Sequence, residues 1–422
     1  MTLPLGACCA AFLALMAGFG LRAAEAEPAW PLWDGRQSVE EYAQLVGLPP
    51  AKSLDLGGGV TMDFVLIPAG RFVMGTPEPV LPSESPLPGR LIFKFFLCAF
   101  LCLVGMILSH AWRTKTRPQF GLKTLLLLAV LAGFAMYGFA RGKTAELDAV
   151  RYELDLKRWR LAEPNEVPAH LVTISRPYYL AKYETSIRQF YSVMNKSPDR
   201  IDQKNGIEYW NVHLHRDGRM SYTFSLHNST EENVAKLFEQ MIGMMSLPAD
   251  SPVTHMTSLE LNSFSSYLEK EFGHSFRLPY EAEWEFACRA GSYASFSSGE
   301  ALLAEYAEFS SQRPPVWLNG LNLCGQKKGN AWGLFDMHGN AWEICMDGLR
   351  GYDSAPVTDP KGALTKSNQV KRGGSKFTQA HECRSAYRSV YKGPDLETGF
   401  RLLLEVDQSP PRSGSAQVPE NR

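Results

Sequence analysis

Two internal stretches, 95–112 (FFLCAFLCLVGMILSHAW) and 124–140 (TLLLLAVLAGFAMYGFA), contain no charged side chain. A helix rises 1.5 Å per residue, so about 20 apolar residues span the ~30 Å hydrocarbon core of a bilayer. The first stretch meets that length with its flanks. The second meets it only with residues 120–122, or where the bilayer thins locally. Between them Arg113, Lys115, Arg117 and Lys123 make a short, purely basic connector. Two buried helices of a soluble core are the competing reading, but such helices seldom run so far without a polar face. A helical hairpin through a membrane, over 91–112 and 120–140, is therefore expected. It constrains everything else, because a globular domain must then be assembled from the chain on either side of it.

A third apolar run, 3–21, precedes Ala24-Glu25-Ala26, a small-x-small pattern. Residues 1–26 read as a secretory signal peptide, although no Lys or Arg precedes the run; an uncleaved anchor helix is the alternative. Either one sends the downstream chain across a membrane. The basic connector suits the cytoplasmic side, while Arg90, Lys94, Arg141 and Lys143 at the outer ends nearly balance it. The signal peptide decides the orientation: the chain resides in the cell membrane, with its globular part on the extracytoplasmic side.

The 43 basic and 44 acidic side chains leave a net charge of -1. With no basic stripe interleaved with aromatics, nucleic acid is not an expected partner. A 45% hydrophobic content excludes bulk disorder. The 35 glycines and 27 prolines point to a loop-rich fold rather than a helical bundle. Prolines crowd 79–90, which should be extended. Residues 144–161 carry Leu147, Val150, Leu154 and Leu161 at roughly heptad spacing. Two readings stand for them: a stalk or dimer contact continuing the second apolar helix, and a solvated amphipathic helix. The tail over 406–422 is expected to be disordered.

Local signals in the remainder are short. Ser38 and Glu41 form a capping box that opens a helix, following an N-terminal linker within 27–53. Residues 60–74 alternate around Pro-Ala-Gly and predict a hairpin. Residues 169–183 predict two more strands, and 185–194 a helix. Thr257 and Glu260 form a second capping box, whose helix presents Leu261, Phe264, Leu268 and Phe272 on one face. Residues 279–289 predict another helix. No repeat is present. The class is α+β with short elements and many loops.

Several stretches, in order, resemble the formylglycine-generating enzyme family, also called sulfatase-modifying factor domains. They are 64–75 (FVLIPAGRFVMG), 183–190 (YETSIRQF), 277–291 (RLPYEAEWEFACRAG), 333–343 (GLFDMHGNAWE), 372–375 (RGGS) and 399–401 (GFR). The resemblance covers roughly 54–78 and 168–405. It implies a fold related to C-type lectins, interrupted here by the inserted segment 79–167, which is not part of the family's pattern.

Within 336–343, two carboxylates flank a Gly-containing turn, an arrangement of hard oxygen donors that suits Ca²⁺. A hydrogen-bonded turn anchored by Glu343 is the structural alternative. The resemblance implies that Asp336 and Glu343 would give calcium their side-chain oxygens and Gly339 and Ala341 their carbonyls. The family's other calcium site has no match, because 305–330 departs from the pattern.

Catalysis is where the resemblance departs. The family's enzymes oxidise a substrate cysteine to formylglycine with O₂, using two cysteines five residues apart to hold Cu(I). Soft thiolates select that ion. Here Cys383 matches the second cysteine and Thr378 stands in place of the first. His381 lies two residues from Cys383, a spacing that on a strand would put both on one face. Cys383 is then a remnant, a small buried residue or half of a disulfide. Cys288, Cys324, Cys345 and Cys383 allow three full pairings, which sequence alone does not distinguish.

Walker, His-Glu-x-x-His and Gly-x-Ser-x-Gly motifs are absent. Three functions compete. The first is a membrane-tethered, noncatalytic binding or scaffolding module for a protein or peptide. The second is an active formylglycine-generating oxidase acting on exported sulfatases. The third is different chemistry in the same cleft, through Ser375, His381, Arg384 or Arg388, although the two arginines equally suit internal salt bridges.

Overall fold

The computed structural model describes residues 30–79, 86–114, 122–194, 209–214, 219–225, 247–301, 304–309, 321–362 and 368–407. The expected signal peptide, part of the proline-rich linker, most of the basic connector and the tail from residue 408 lie outside the described residues, whereas Val406, at the start of the expected tail, is buried.

The strands in chain order are β1 (Ala51–Gly57), β2 (Val60–Ile67), β3 (Gly70–Met74), β4 (His170–Ile174), β5 (Tyr178–Ala181), β6 (Tyr209–Leu214), β7 (Arg219–Ser225), β8 (Leu247–Pro248), β9 (Phe276–Arg277), β10 (Trp342–Gly348), β11 (Val357–Thr358), β12 (Gln369–Arg372), β13 (Ser389–Tyr391), β14 (Thr398–Gly399) and β15 (Leu403–Leu404). The helices are α1 (Val39–Val46), α2 (Pro86–Thr114), α3 (Leu122–Trp159), α4 (Ile187–Met194), α5 (Ser258–Phe272) and α6 (Glu281–Arg289). Short curled sheets and short helices make a mixed α+β fold. The sheets run β1-β2-β5-β15-β9, β13-β12-β10-β14, β11-β4-β3 and β6-β7-β8.

Both capping boxes form. Ser38 Oγ accepts the Glu41 N–H and Glu41 Oε2 accepts the Ser38 N–H at the start of α1. Thr257 and Glu260 repeat the exchange at α5, satisfying donors that would otherwise be orphaned. Leu261, Phe264 and Leu268 of α5 are buried, as their spacing predicts.

The expected hairpin over 60–74 does not form. β2 pairs with β1 on one side and β5 on the other, while β3 pairs with β4 in a different sheet. The hairpin lies one step earlier: Gly57, Gly58 and Gly59 all take positive φ and turn β1 onto β2. Only glycine enters such turns without a Cβ penalty. At Pro68-Ala69 the chain turns a corner between sheets instead of folding back. The Ala69 N–H donates to the Tyr42 hydroxyl (3.1 Å) and its carbonyl accepts the Trp33 N–H (2.7 Å). The corner's backbone groups are thus spent on the N-terminal segment, which the local alternation of 60–74 could not reveal.

α2 and α3 are long helices of 29 and 38 residues. They pack on each other through Phe96 and Phe134 (4.8 Å between ring centres) and Phe93 and Phe139 (5.5 Å). Leu91–Ser109 has a mean hydropathy of 2.7, and none of it is buried in protein; among the described residues it alone is long and apolar enough to cross a membrane. A second such helix, which the sequence leads one to expect, is not found among the described residues. α3 runs unbroken from its apolar half into charged residues, and residues 120 and 121, which would have lengthened that half, lie outside the described residues.

The two ends of this insertion meet. The Thr76 N–H donates to the Glu166 carbonyl (3.1 Å) and the Thr76 hydroxyl to Glu166 Oε2 (2.7 Å). Both residues are buried. The long excursion therefore costs the fold little, because its base is closed by direct bonds and loop-closure entropy grows slowly with length.

Beneath the sheets lies a buried network of arginines and carboxylates. Arg372 and Arg388 share Glu281, and Glu285 bonds both Arg289 and Arg372. Asp347 accepts the Glu281 N–H (2.7 Å) but has no cation of its own in these contacts. Burial first, then the Glu281 charge, raise its pKa from 3.8 to about 6. Because the folded-state value lies above the unfolded one, the native state binds the extra proton. The associated stability is complete below pH 3.8 and is lost as pH rises through 6. Asp347→Asn removes that titration. Its stability relative to wild type, followed by urea denaturation, should improve by up to about 3 kcal/mol between about pH 4 and pH 7; a difference that does not change with pH would contradict the buried, uncompensated carboxylate.

Candidate functional site

After β12 the chain turns through Gly373 and Gly374 and enters a 3₁₀ turn, Ala380–Cys383. Gly374 has φ +76°, and a Cβ there would lie 2.5 Å from Cys383 Sγ. The glycine is thus required both by its backbone and by the sulfur packed against it. Thr378 Oγ1 lies 3.6 Å from Cys383 Sγ. The threonine hydroxyl donates to the Ser375 carbonyl (3.0 Å) and accepts the Ser375 N–H (2.9 Å). With its proton committed, it offers the Cys383 thiol only an acceptor. Burial pushes that thiol's pKa up to about 12. A protonated thiol facing a neutral, hard hydroxyl lacks the soft thiolate pair that Cu(I) selects. Copper does not fit these two residues.

Ser375 is fully buried; its hydroxyl donates to Glu397 Oε2 (2.8 Å) and accepts the Phe377 N–H (3.2 Å). It shapes the turn. His381 shares the 3₁₀ turn with Cys383 rather than a strand, so the two-residue spacing does not put them on one face; its ring lies edge-on to Tyr387, 6.1 Å between centres. Arg384 and Arg388 are buried in ion pairs. Arg384 grips both oxygens of Glu166 (2.8 Å each), and Arg388 both oxygens of Glu281. The base of the insertion is thereby bonded to the residue next to Cys383.

All six described cysteines are free thiols, and Cys288, Cys345 and Cys383 are buried. A histidine that sequence reasoning passed over, His338, ties this region together. The Ser297 N–H donates to its Nε2 (3.0 Å), so the ring proton sits on Nδ1 and bonds the Cys383 carbonyl (2.9 Å). Burial lowers its pKa to about 4, which keeps it neutral. Cys288 Sγ lies 3.8 Å from the same ring.

The 336–343 segment forms a second cluster. Glu343 accepts Arg401 Nη2 (2.5 Å) on Oε1, and Arg401 Nε and Trp284 Nε1 (2.6 Å each) on Oε2. Asp336 Oδ2 accepts the Gly325 N–H (2.6 Å). Glu184 accepts the Asn340 amide (2.8 Å) and the Ala341 N–H (2.9 Å). All three carboxylates are buried around the Arg401 guanidinium. Burial first, then the charges of Asp336 and Glu343, hold Glu184 well above the carboxylate range, with Arg401 pulling the other way. Burial raises Asp336 to about 6, opposed by the Gly325 N–H and Arg401. Both Glu343 oxygens are thus taken up by Arg401 and Trp284, and among the described residues no group of three or more His, Cys, Asp and Glu side chains is placed to hold a metal ion. Glu184 and Arg401 lie in two of the recognisable sequence stretches, yet nothing local assigned them to this cluster; only the fold brings 184, 336, 343 and 401 together.

Residues 128–406, more than half of the chain, match the family described as Sulfatase-modifying factor enzyme 1-like domain. The chain belongs to the sulfatase-modifying factor family. Among proteins with similar sequence, the formylglycine-generating enzyme of Bos taurus is 32% identical over 173 residues, covering 37% of this chain and 44% of its own length. That of Streptomyces coelicolor is 29% identical over 187 residues, covering 39% and 55%. A Chlamydia caviae protein named serine/threonine-protein kinase pkn1 is 31% identical over 147 residues, covering 33% and 21%. The chain thus spans about half the length of the formylglycine-generating enzymes it matches. PvdO from Pseudomonas aeruginosa shares the fold, with a TM-score of 0.50 at 17% identity over 85% of this chain and 99% of that structure.

Proposed function

We propose that this sulfatase-modifying factor protein is an exported, membrane-tethered, noncatalytic module that binds or scaffolds a protein or peptide partner. The single observation that carries this reading is Thr378 beside Cys383, its hydroxyl bonded to the Ser375 backbone. Where the family's oxidation needs two sulfurs, one is replaced by an oxygen that already closes a turn. The inserted helices α2 and α3 supply the tether as a hairpin, with the globular part on the extracytoplasmic side. Calcium at Asp336, Glu343 and the Gly339 and Ala341 carbonyls, the ligands that the family resemblance implies, would have to take the Glu343 oxygens from Arg401 and Trp284. Arg401 holds Glu343, and Glu184 fixes the Asn340–Ala341 backbone.

The test uses the full chain in detergent, supplied with Cu(I), O₂ and a peptide carrying Cys-x-Pro-x-Arg. No aldehyde should form above the level of a Cys383→Ser variant. Aldehyde that depends on Cys383 would overturn the noncatalytic reading and establish the oxidase instead.

A further inference from the structure

Beyond its anchoring role, α3 carries a seam. Gly133, Met136, Ala140, Leu147, Val150 and Leu154 recur at alternating three- and four-residue steps, with Lys143 at the step between Ala140 and Leu147. That spacing follows an a/d heptad seam. Every one of these residues is exposed: Met136 by 73%, Leu147 by 66%, Val150 by 55% and Leu154 by 37%, with Gly133, Ala140 and Lys143 also in the exposed class. The opposite side of the helix, at Tyr152, Leu156 and Trp159, is half-buried. The seam therefore faces away from the protein that carries it. Its membrane half has small residues at two of three positions, which let helix backbones approach closely in lipid. Its outer half has branched aliphatic residues, as a water-exposed coiled coil requires.

Charges on the two flanks indicate what covers it. Glu146 and Glu153 lie on one flank, Arg151 and Arg158 on the other. If a second copy lies parallel, each glutamate meets the arginine five residues further on in its neighbour: Glu146 with Arg151, and Glu153 with Arg158. If it lies antiparallel, glutamate faces glutamate and arginine faces arginine. We infer that α3 pairs with α3 of a second copy of this chain as a parallel helical dimer, continuous from the bilayer into the stalk. The inference rests on the tethering reading in one respect: insertion in a common orientation makes all copies parallel and raises their effective concentration. A seam too short to hold two helices together in bulk water is then sufficient. Arg158 is also bonded to Asp155 and Glu300 within its own chain. The charge exchange is made at the pair nearer the bilayer, Glu146 and Arg151.

The experiment uses the full chain in its membrane, with Cys98 and Cys102 replaced by Ser. Val150→Cys should give a cross-linked dimer with a short bismaleimide, whereas Asp148→Cys, exposed on another face, should not. Two differently tagged variants, Glu146→Arg and Arg151→Glu, are then co-expressed on the Val150→Cys background. Each homodimer sets like charges against each other, while the heterodimer restores both pairs, so heterodimer should exceed either homodimer by roughly tenfold. Equal amounts of homodimer and heterodimer, or cross-linking at 148 as strong as at 150, would overturn the proposal. Alkaline extraction separates the two readings. A chain that stays with the membrane and fails to cross-link at 150 overturns the dimer and leaves the tether standing. A chain released into the supernatant overturns the tether, and with it the orientation argument on which the dimer rests.

Discussion

Arg401→Met should cost about 3–5 kcal/mol of folding stability or more, measured by urea denaturation of the full chain in detergent, and should lower its yield. The guanidinium is fully buried and donates to Glu343 through two nitrogens, to the Ala181 carbonyl (3.0 Å) and to the Phe335 carbonyl (2.9 Å). Removing it leaves those acceptors unpaired and strips the guanidinium from a site shared with Glu184 and Asp336. Breaking one partner of a buried pair is expensive because the remaining charge cannot be resolvated. Arg401→Lys should rescue little, since one ammonium on a flexible stem cannot reproduce the planar fork that spans a carboxylate and two carbonyls. A loss below about 1 kcal/mol would mean that the cluster is solvated or otherwise compensated, and Glu343 would not then depend on Arg401 for its charge.

Thr378→Cys should convert a site with no appreciable affinity for Cu(I) into one that retains about one equivalent under reducing conditions, measured by competition with a chromophoric Cu(I) chelator. The threonine oxygen already lies 3.6 Å from Cys383 Sγ, so sulfur at this position would face a second sulfur across a short gap. Metal binding would then favour deprotonation of a thiol that burial alone holds near pKa 12. The substitution also removes the hydroxyl's two bonds to the Ser375 backbone, so some loss of stability should accompany the gain. Peptide aldehyde formation by this variant, absent from wild type, would show that a single sulfur separates this chain from its catalytic relatives. Wild-type protein that holds copper as tightly as the variant would refute the argument from Thr378.

Helix boundaries written in side chains were legible in the sequence. Ser38 with Glu41 and Thr257 with Glu260 are exchanges between neighbours, so four residues suffice to predict them. The same is true of the α5 face and of the apolar run that became Leu91–Ser109. The order of family stretches and the oxygen at 378 needed no coordinates either. The pairing of 60–74 was not legible, because alternation reports which faces of a strand are buried, not which strand it pairs with. The anchor at Ala69 comes from Tyr42, 27 residues away. His381 and Cys383 do not share a face because the local backbone is a 3₁₀ turn and not a strand.

The sequence by itself determined the family, the apolar excursion and the missing sulfur, since each is a property of residue identity or of near neighbours along the chain. Tertiary structure alone decided that Thr76 and Glu166 close the excursion, that Arg384 binds its base beside Cys383, and that Glu184, Asp336 and Glu343 share Arg401. Those decisions depend on burial. A carboxylate on an exposed loop tolerates many partners, whereas one removed from water must find a matching donor, and that donor lies wherever the folded chain happens to bring it.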